Sequence, residues 1–95
     1  MNHTALIVDD EVHCSDRVVE LIKKHPELNL SICSIINNVQ EAVHYLQTNK
    51  PNILFLDVEI GDQTGFELLK QVGPINSEII FTTAYREYAI ESYEL

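Results

Sequence analysis

Acidic residues stand where the apolar runs of this sequence end. Asp9, Asp10 and Glu11 follow Ala5-Leu6-Ile7-Val8 directly, and Asp57 follows Ile53-Leu54-Phe55-Leu56. Thr83 lies just beyond a third run, Ile79-Ile80-Phe81. If the first two runs are neighbouring strands, Asp9, Asp10 and Asp57 converge at one end of a sheet. Unpaired carboxylates held that close raise each other's pKa instead of ionising together, so a cation belongs among them. Hard oxygen ligands without Cys or His suit Mg²⁺, which keeps several waters and takes one or two carboxylates directly. Such an ion would also hold phosphoryl oxygens and offset charge while a phosphoryl group moves onto a carboxylate. Thr83 can offer its hydroxyl to the same pocket. Acidic residues are also common at strand ends as solvated loop starts, and the Asp9-Asp10 pair alone decides little between the two readings. Three strand ends in register favour the site.

The elements that must position these residues alternate in type. Ala5–Val8 is a continuous apolar run, followed by a helix-compatible stretch from about His13 to Lys24 that carries Val18, Val19, Leu21 and Ile22. Pro26 ends it. Leu28, Leu30 and Ile32 alternate with Asn29, Ser31 and Cys33, the period-two pattern of an edge strand. Val39, Ala42, Val43 and Leu46 form one helical stripe, with Asn38 and Glu41 as a capping box. After the break at Asn49-Lys50-Pro51 comes Ile53–Leu56, a strand covered on both faces. Gly61 and Gly65 bracket a loop, Thr64 and Glu67 cap a helix bearing Phe66, Leu68, Leu69 and Val72, and Gly73-Pro74 stops it. Ile79–Phe81 reads as a third buried strand. A last helix runs from Arg86 to about Glu94, with Ala89, Ile90 and Tyr93 on one side. This β-α-β-α-β-α-β-α order predicts right-handed crossovers and a mainly parallel sheet with helices on both faces. Ligands of such sheets bind beyond the carboxyl ends of the strands, where strand order reverses.

Composition narrows the function. The 95 residues suit one domain, and no repeat, low-complexity tract or linker divides them. A net charge of −9 repels phosphate backbones and anionic lipid, which argues against direct nucleic-acid contact. The apolar runs are far short of the ~20 residues that a bilayer crossing needs. No secretory signal pattern opens the chain, so a cytoplasmic location is expected. Cys14 and Cys33 are unclustered and read as buried or half-buried reduced thiols. His3, His13, His25 and His44 are scattered without a ligand set.

The segments Leu6-Ile7-Val8-Asp9-Asp10-Glu11, Ile53-Leu54-Phe55-Leu56-Asp57-Val58 with Gly65 beyond it, and Ile79-Ile80-Phe81-Thr82-Thr83-Ala84 together resemble the receiver domain of bacterial two-component response regulators. Phe81 to Tyr85 and Glu87-Tyr88-Ala89 further resemble receivers of the LytTR (LytR/AlgR-like) class. The resemblance covers residues 1–95 and implies a flavodoxin-like (CheY-like) fold with strand order 2-1-3-4. It implies a phosphorylation-dependent signalling switch, not an enzyme. In it Asp57 accepts a phosphoryl group from a sensor histidine kinase, and Asp10 and Asp57 are direct Mg²⁺ ligands. Asp9 acts through water, the backbone carbonyl of Glu59 completes the protein's share, and Thr83 supplies the switch hydroxyl. The output would be a LytTR-type DNA-binding domain controlling transcription, which lies outside these residues.

Departures from the family pattern carry expectations of their own. Gly61 stands where many relatives have Pro, which should loosen the loop after Asp57. The sequence stops at Leu95, before the fifth strand with its lysine and the fifth helix. The expectation is that these residues bind Mg²⁺ but phosphorylate and switch poorly. The run Ile79–Phe81 then lies at a sheet edge, where pairing or exchange with a second copy is expected. Tyr85, Tyr88 and Tyr93 sit around the last helix, to pack on the sheet or to meet a downstream domain. Two other functions compete. One is an Mg²⁺-dependent phosphatase or phosphotransferase of haloacid-dehalogenase type, with Asp57 and Glu59 as its acid pair. The other is a pseudo-receiver that serves only as a dimerisation module.

Overall fold

The structure is a computed structural model and describes residues 3–82. The helix expected from Arg86, together with Thr83, Tyr85, Tyr88 and Tyr93, lies outside the described residues. The elements are β1 (His3–Val8), α1 (Val12–Lys24), β2 (Leu30–Ile36), α2 (Val39–Thr48), β3 (Ile53–Asp57), the short strands β4 (Glu59–Ile60) and β5 (Gln63–Thr64), α3 (Gly65–Val72) and β6 (Glu78–Thr82). The main sheet is parallel in the order β2-β1-β3-β6, the 2-1-3-4 arrangement expected from the alternating elements. Strand order reverses at β1, which lies between β2 and β3.

Period-two alternation divides the side chains of β1 and β3 between two faces. Leu6, Val8, Leu54 and Leu56 join Ala42 and Leu46 of α2 and Leu68 of α3 in the main core. Ala5 and Ile7, also fully buried, point to the α1 side. Helix starts follow the side-chain signals. Asn38 accepts from the Glu41 N–H at 2.8 Å, and its own amide reaches the Glu41 carboxylate at 3.0 Å. Thr64 accepts from the Glu67 N–H at 3.1 Å. Helix α1 is capped instead by Glu11, whose carboxylate accepts from the His13 N–H at 3.3 Å.

Several local expectations are corrected. Leu28 belongs to a 3₁₀ turn, Pro26–Leu28, and not to the alternating strand, because Asn29 turns into the left-handed region at φ 54° before β2 begins. Cys33 is exposed, not half-buried: the β1/β2 register shifts between Ala5 and Leu6 and leaves it without a ladder partner, its Sγ–H donating to the Ala5 carbonyl at 3.2 Å. Strand β6 stands at the edge of the described sheet, as its place in the element order predicts, and so is not the buried strand its composition suggests. Ile79 and Ile80 are 36% and 43% exposed, because among the described strands β6 pairs on one side only.

Gly65 closes the loop and, as the Thr64 cap implies, is the first residue of α3. A Cβ built there would lie 2.5 Å from the Asp57 carbonyl oxygen and 2.9 Å from Leu56 Cγ. The absence of a side chain is what lets α3 start hard against the end of β3, with the Gly65 N–H on the Val58 carbonyl at 2.8 Å. Backbone cannot yield as a flexible side chain would. Gly65→Ala is therefore expected to cost about 1–3 kcal/mol, the usual penalty of overpacking, read as a lower urea midpoint at unchanged slope.

A carboxylate cluster at the strand ends

Parallel pairing aligns Val8 with Leu56, so the residues that follow them, Asp9 just past β1 and Asp57 at the end of β3, stand side by side at the carboxyl end of the sheet. The Asp9 N–H donates to the Ile36 carbonyl at 2.9 Å, which holds the start of the loop against β2. One carboxylate oxygen each of Asp9, Asp10 and Asp57 lie within 4.8 Å of one another. The three differ in exposure: Asp9 is 3% exposed, Asp57 is half-buried and Asp10 is open to solvent.

Each carboxylate has a backbone donor. The Glu11 N–H reaches Asp9 Oδ1 at 2.9 Å, and the Glu59 N–H approaches Asp57 Oδ1 at 3.4 Å. Asp10 is met from a distant part of the chain, where the Gly61 N–H donates to its Oδ2 at 2.8 Å. The donors do not balance the charge. Burial, then the charge of Asp9 and the hydrogen bond shared with it, push the Asp57 carboxyl up to about 7. Burial pushes Asp9 up as well. The Cys14 thiol is raised first by its own burial and then by the charge of Asp9 and Asp57. Without a cation, burial and Asp9 let Asp57 keep, up to a pH near 7, a proton shared toward Asp9.

A pH dependence follows. The folded Asp57 titrates near 7 and an ordinary Asp near 3.8, so between those values the folded state binds more protons than the unfolded one. The stabilising contribution is fully present below the unfolded value and is lost as pH rises through the folded one. Unfolding titrations in a chelator should show the parent losing stability between about pH 5 and about pH 8 relative to Asp57→Asn, which has no such proton. Parallel profiles for the two chains would contradict the shared proton.

Of the residues singled out in the sequence, Asp9, Asp10 and Asp57 are brought together, and the Glu59 carboxylate is not part of their cluster. Thr82 is the register partner of Asp57 on β6, and Thr83 follows it outside the described residues. The sequence reading missed two contributions, the close approach at Gly65 and the donor at Gly61. Segment 57–65 was not expected to pair with itself, yet Glu59 opposes Thr64 and Ile60 opposes Gln63 in a tight hairpin. Gly61 turns it at φ 62°, and Asp62 does not take a positive φ, as in a type II′ turn. The Gly61-Asp62 pair between Ile60 and Gln63 was the available signal. The loop expected to be loose is tied down.

Residues 5–95 match the sequence profile of the response regulator receiver domain. The chain belongs to that family. It is 34% identical over 92 residues to the sensory transduction protein LytT of Bacillus anthracis and 32% identical over 92 residues to that of Enterococcus faecalis, covering 95% of this chain in each case. The chain spans 37% of the length of those curated relatives. Among solved structures, the response regulatory domain of mrkE from Klebsiella pneumoniae superposes with a TM-score of 0.77 at 28% identity, over 96% of this chain and 75% of that one. A CheY-like receiver domain from Methylobacillus flagellatus, 22% identical, shares the fold at a TM-score of 0.74, over 96% of this chain and 80% of that one. No helix among the described residues is long and apolar enough to cross a membrane.

Proposed function

We propose that this receiver chain is the phosphoacceptor of a two-component system, taking a phosphoryl group on Asp57 from the phosphohistidine of a sensor kinase. The observation that carries this is the meeting of Asp9, Asp10 and Asp57 within 4.8 Å at the reversal of strand order, in a chain of the receiver family. The donor set fits Mg²⁺: it is all carboxylate oxygen, crowded enough to raise two of its members, and open to water on the Asp10 side. Asp10 and Asp57 would hold the ion, with Asp9 acting through water and the Glu59 carbonyl as a further ligand. When bound, Mg²⁺ supplies charge neutralisation for the carboxylates and for the phosphoryl oxygens.

The remaining work falls to the chain itself. An oxygen of Asp57 attacks phosphorus, the donor's N–P bond breaks, and the released imidazole takes up a proton. The Glu59 N–H steadies Asp57 Oδ1, leaving the other oxygen free for attack. Thr83 is assigned the switch hydroxyl that responds to the phosphoryl group. Because the curated relatives extend well beyond the matched segment, control of a LytTR-type DNA-binding domain and a cytoplasmic location are parts of the same proposal. A phosphatase built on Asp57-x-Glu59 would need the second acid at the first, and Glu59 is exposed with only its backbone N–H turned to Asp57. The test is covalent: a slow transfer from a small phosphodonor with Mg²⁺, of at most one phosphoryl group per chain, lost in Asp57→Asn.

A further inference from the structure

Asp57 is the last residue of β3, and the backbone donor to its carboxylate, the Glu59 N–H, stands at 3.4 Å. A bond that long steadies the side chain but cannot by itself place it, so the carboxylate stands where the backbone of Asp57 puts it. That backbone is held by its neighbours. Thr82 of β6 pairs with Asp57, and the Thr82 carbonyl accepts from the Val58 N–H at 3.3 Å. From the α3 side, the Gly65 N–H donates to the Val58 carbonyl at 2.8 Å. The contact at Gly65 has no slack. A Cβ there would stand 2.5 Å from the Asp57 carbonyl oxygen, and 2.9 and 3.2 Å from Cγ and Cδ2 of Leu56, a side chain with no exposure. Backbone conformation does not call for glycine here, because Gly65 takes no positive φ, unlike Gly61 and Gly73. Alanine is also the better helix former. What excludes a side chain is the backbone of the acceptor and the leucine before it.

We propose that Gly65 is a positioning residue for Asp57: by admitting the first turn of α3 to the Asp57 carbonyl, it sets where the Asp57 carboxylate stands relative to Asp9 and Asp10, so that cation affinity depends on this contact. The inference rests on the reading of Asp57 as phosphoacceptor and Mg²⁺ ligand. One oxygen from each of the three carboxylates lies within 4.8 Å of the others, and Mg²⁺ demands near-ideal octahedral geometry, so the site tolerates little displacement of a member. Widening a 2.5 Å approach to ordinary van der Waals contact moves the acceptor, the helix or both. Disturbing the groups that support a metal ligand typically changes affinity by about 10–100-fold. The coupling is reciprocal: a cation that draws Asp57 into place also tightens the start of α3 against β3.

Gly65→Ala adds the one Cβ in question and keeps the N–H that meets Val58. Val72→Ala, a truncation of a half-buried side chain at the other end of α3, is the control for lost packing. Both are compared with the parent at a temperature where circular dichroism shows all three chains folded. Mg²⁺ titrations followed by calorimetry are expected to show Gly65→Ala weakened about tenfold. Val72→Ala should stay within about twofold of the parent, since a distant change in packing does not reach the carboxylates. Parental affinity in Gly65→Ala, or equal losses in the two variants, overturns the proposal. Should Gly65→Ala fail to fold, hydrogen exchange in the parent decides. Mg²⁺ should slow exchange of the Gly65 amide more than that of the amides in the last turn of α3; equal slowing, or none, overturns the proposal. The parental titration is read first: no Mg²⁺ binding there defeats the metal reading itself and the inference with it, whereas binding that ignores Gly65 defeats the inference alone.

Discussion

Asp57→Asn is expected to reduce Mg²⁺-dependent incorporation of a phosphoryl group from acetyl phosphate to background. Asparagine keeps the shape of the side chain and can still accept the Glu59 N–H, but it offers no carboxylate oxygen to form the acyl phosphate. The variant should also fold at least as well as the parent when no cation is present, since it removes a group that burial and Asp9 force to hold a proton. That separates loss of the acceptor from loss of structure. Intact-mass measurement of both chains, with peptide mapping of the modified one, checks it. The label should sit on the peptide containing Asp57 and be cleaved by hydroxylamine, as an acyl phosphate is. Labelling of Asp57→Asn at the parental rate would remove the acceptor role from Asp57 and leave the signalling proposal without its central residue.

The second large effect is on stability. A ligand that binds the folded state alone stabilises it by RT ln(1 + [L]/Kd), about 2.7 kcal/mol at one hundred times Kd. For a domain of this size that raises Tm by roughly 10–20 °C. Mg²⁺ is expected to act this way on the parent and to lose most of the effect in Asp10→Ala, which takes away the exposed ligand and leaves Asp9 and Asp57 in place. The comparison belongs at constant ionic strength, because monovalent salt also screens clustered carboxylates. The pH dependence gives the effect a second signature. With the ion bound, Asp57 no longer needs its proton, so the decline in stability toward pH 8 should flatten. An equal rise in Tm with NaCl at matched ionic strength would reduce the effect to screening and deny a specific site.

Much of the fold was legible because it rests on local chemistry. The run Ala5–Val8 is buried on both faces, and continuous apolar sequence is what such burial demands, whereas Ile53–Leu56 is buried at Leu54 and Leu56 and only half-buried at Ile53 and Phe55 on its other face. The helix starts at Asn38 and Thr64 could be read because a capping side chain bonds within its own first turn. The run Ile79–Phe81 shows the limit of that logic. Its residues are as apolar as those of β3, yet its exposure follows from its place at the edge of the described sheet, which the order of the elements indicated and the composition of the run did not.

The same division runs through the site. Asp9, Asp10 and Asp57 could be nominated from the sequence because acidic residues directly after buried strands must emerge at the end of a parallel sheet, where the backbone leaves the ladder. Their meeting required β1 and β3 to be adjacent, and the crossover topology supplied that. What no local pattern announced is the part made by backbone alone. The Gly61 N–H reaches Asp10 across 51 positions, and Gly65 lets a helix press on the Asp57 carbonyl. Side-chain types are written in the sequence, and with them the chemistry that carboxylates can do. Backbone groups are the same at nearly every residue, so which of them becomes a donor or a close contact is decided only when the folded chain brings distant segments together.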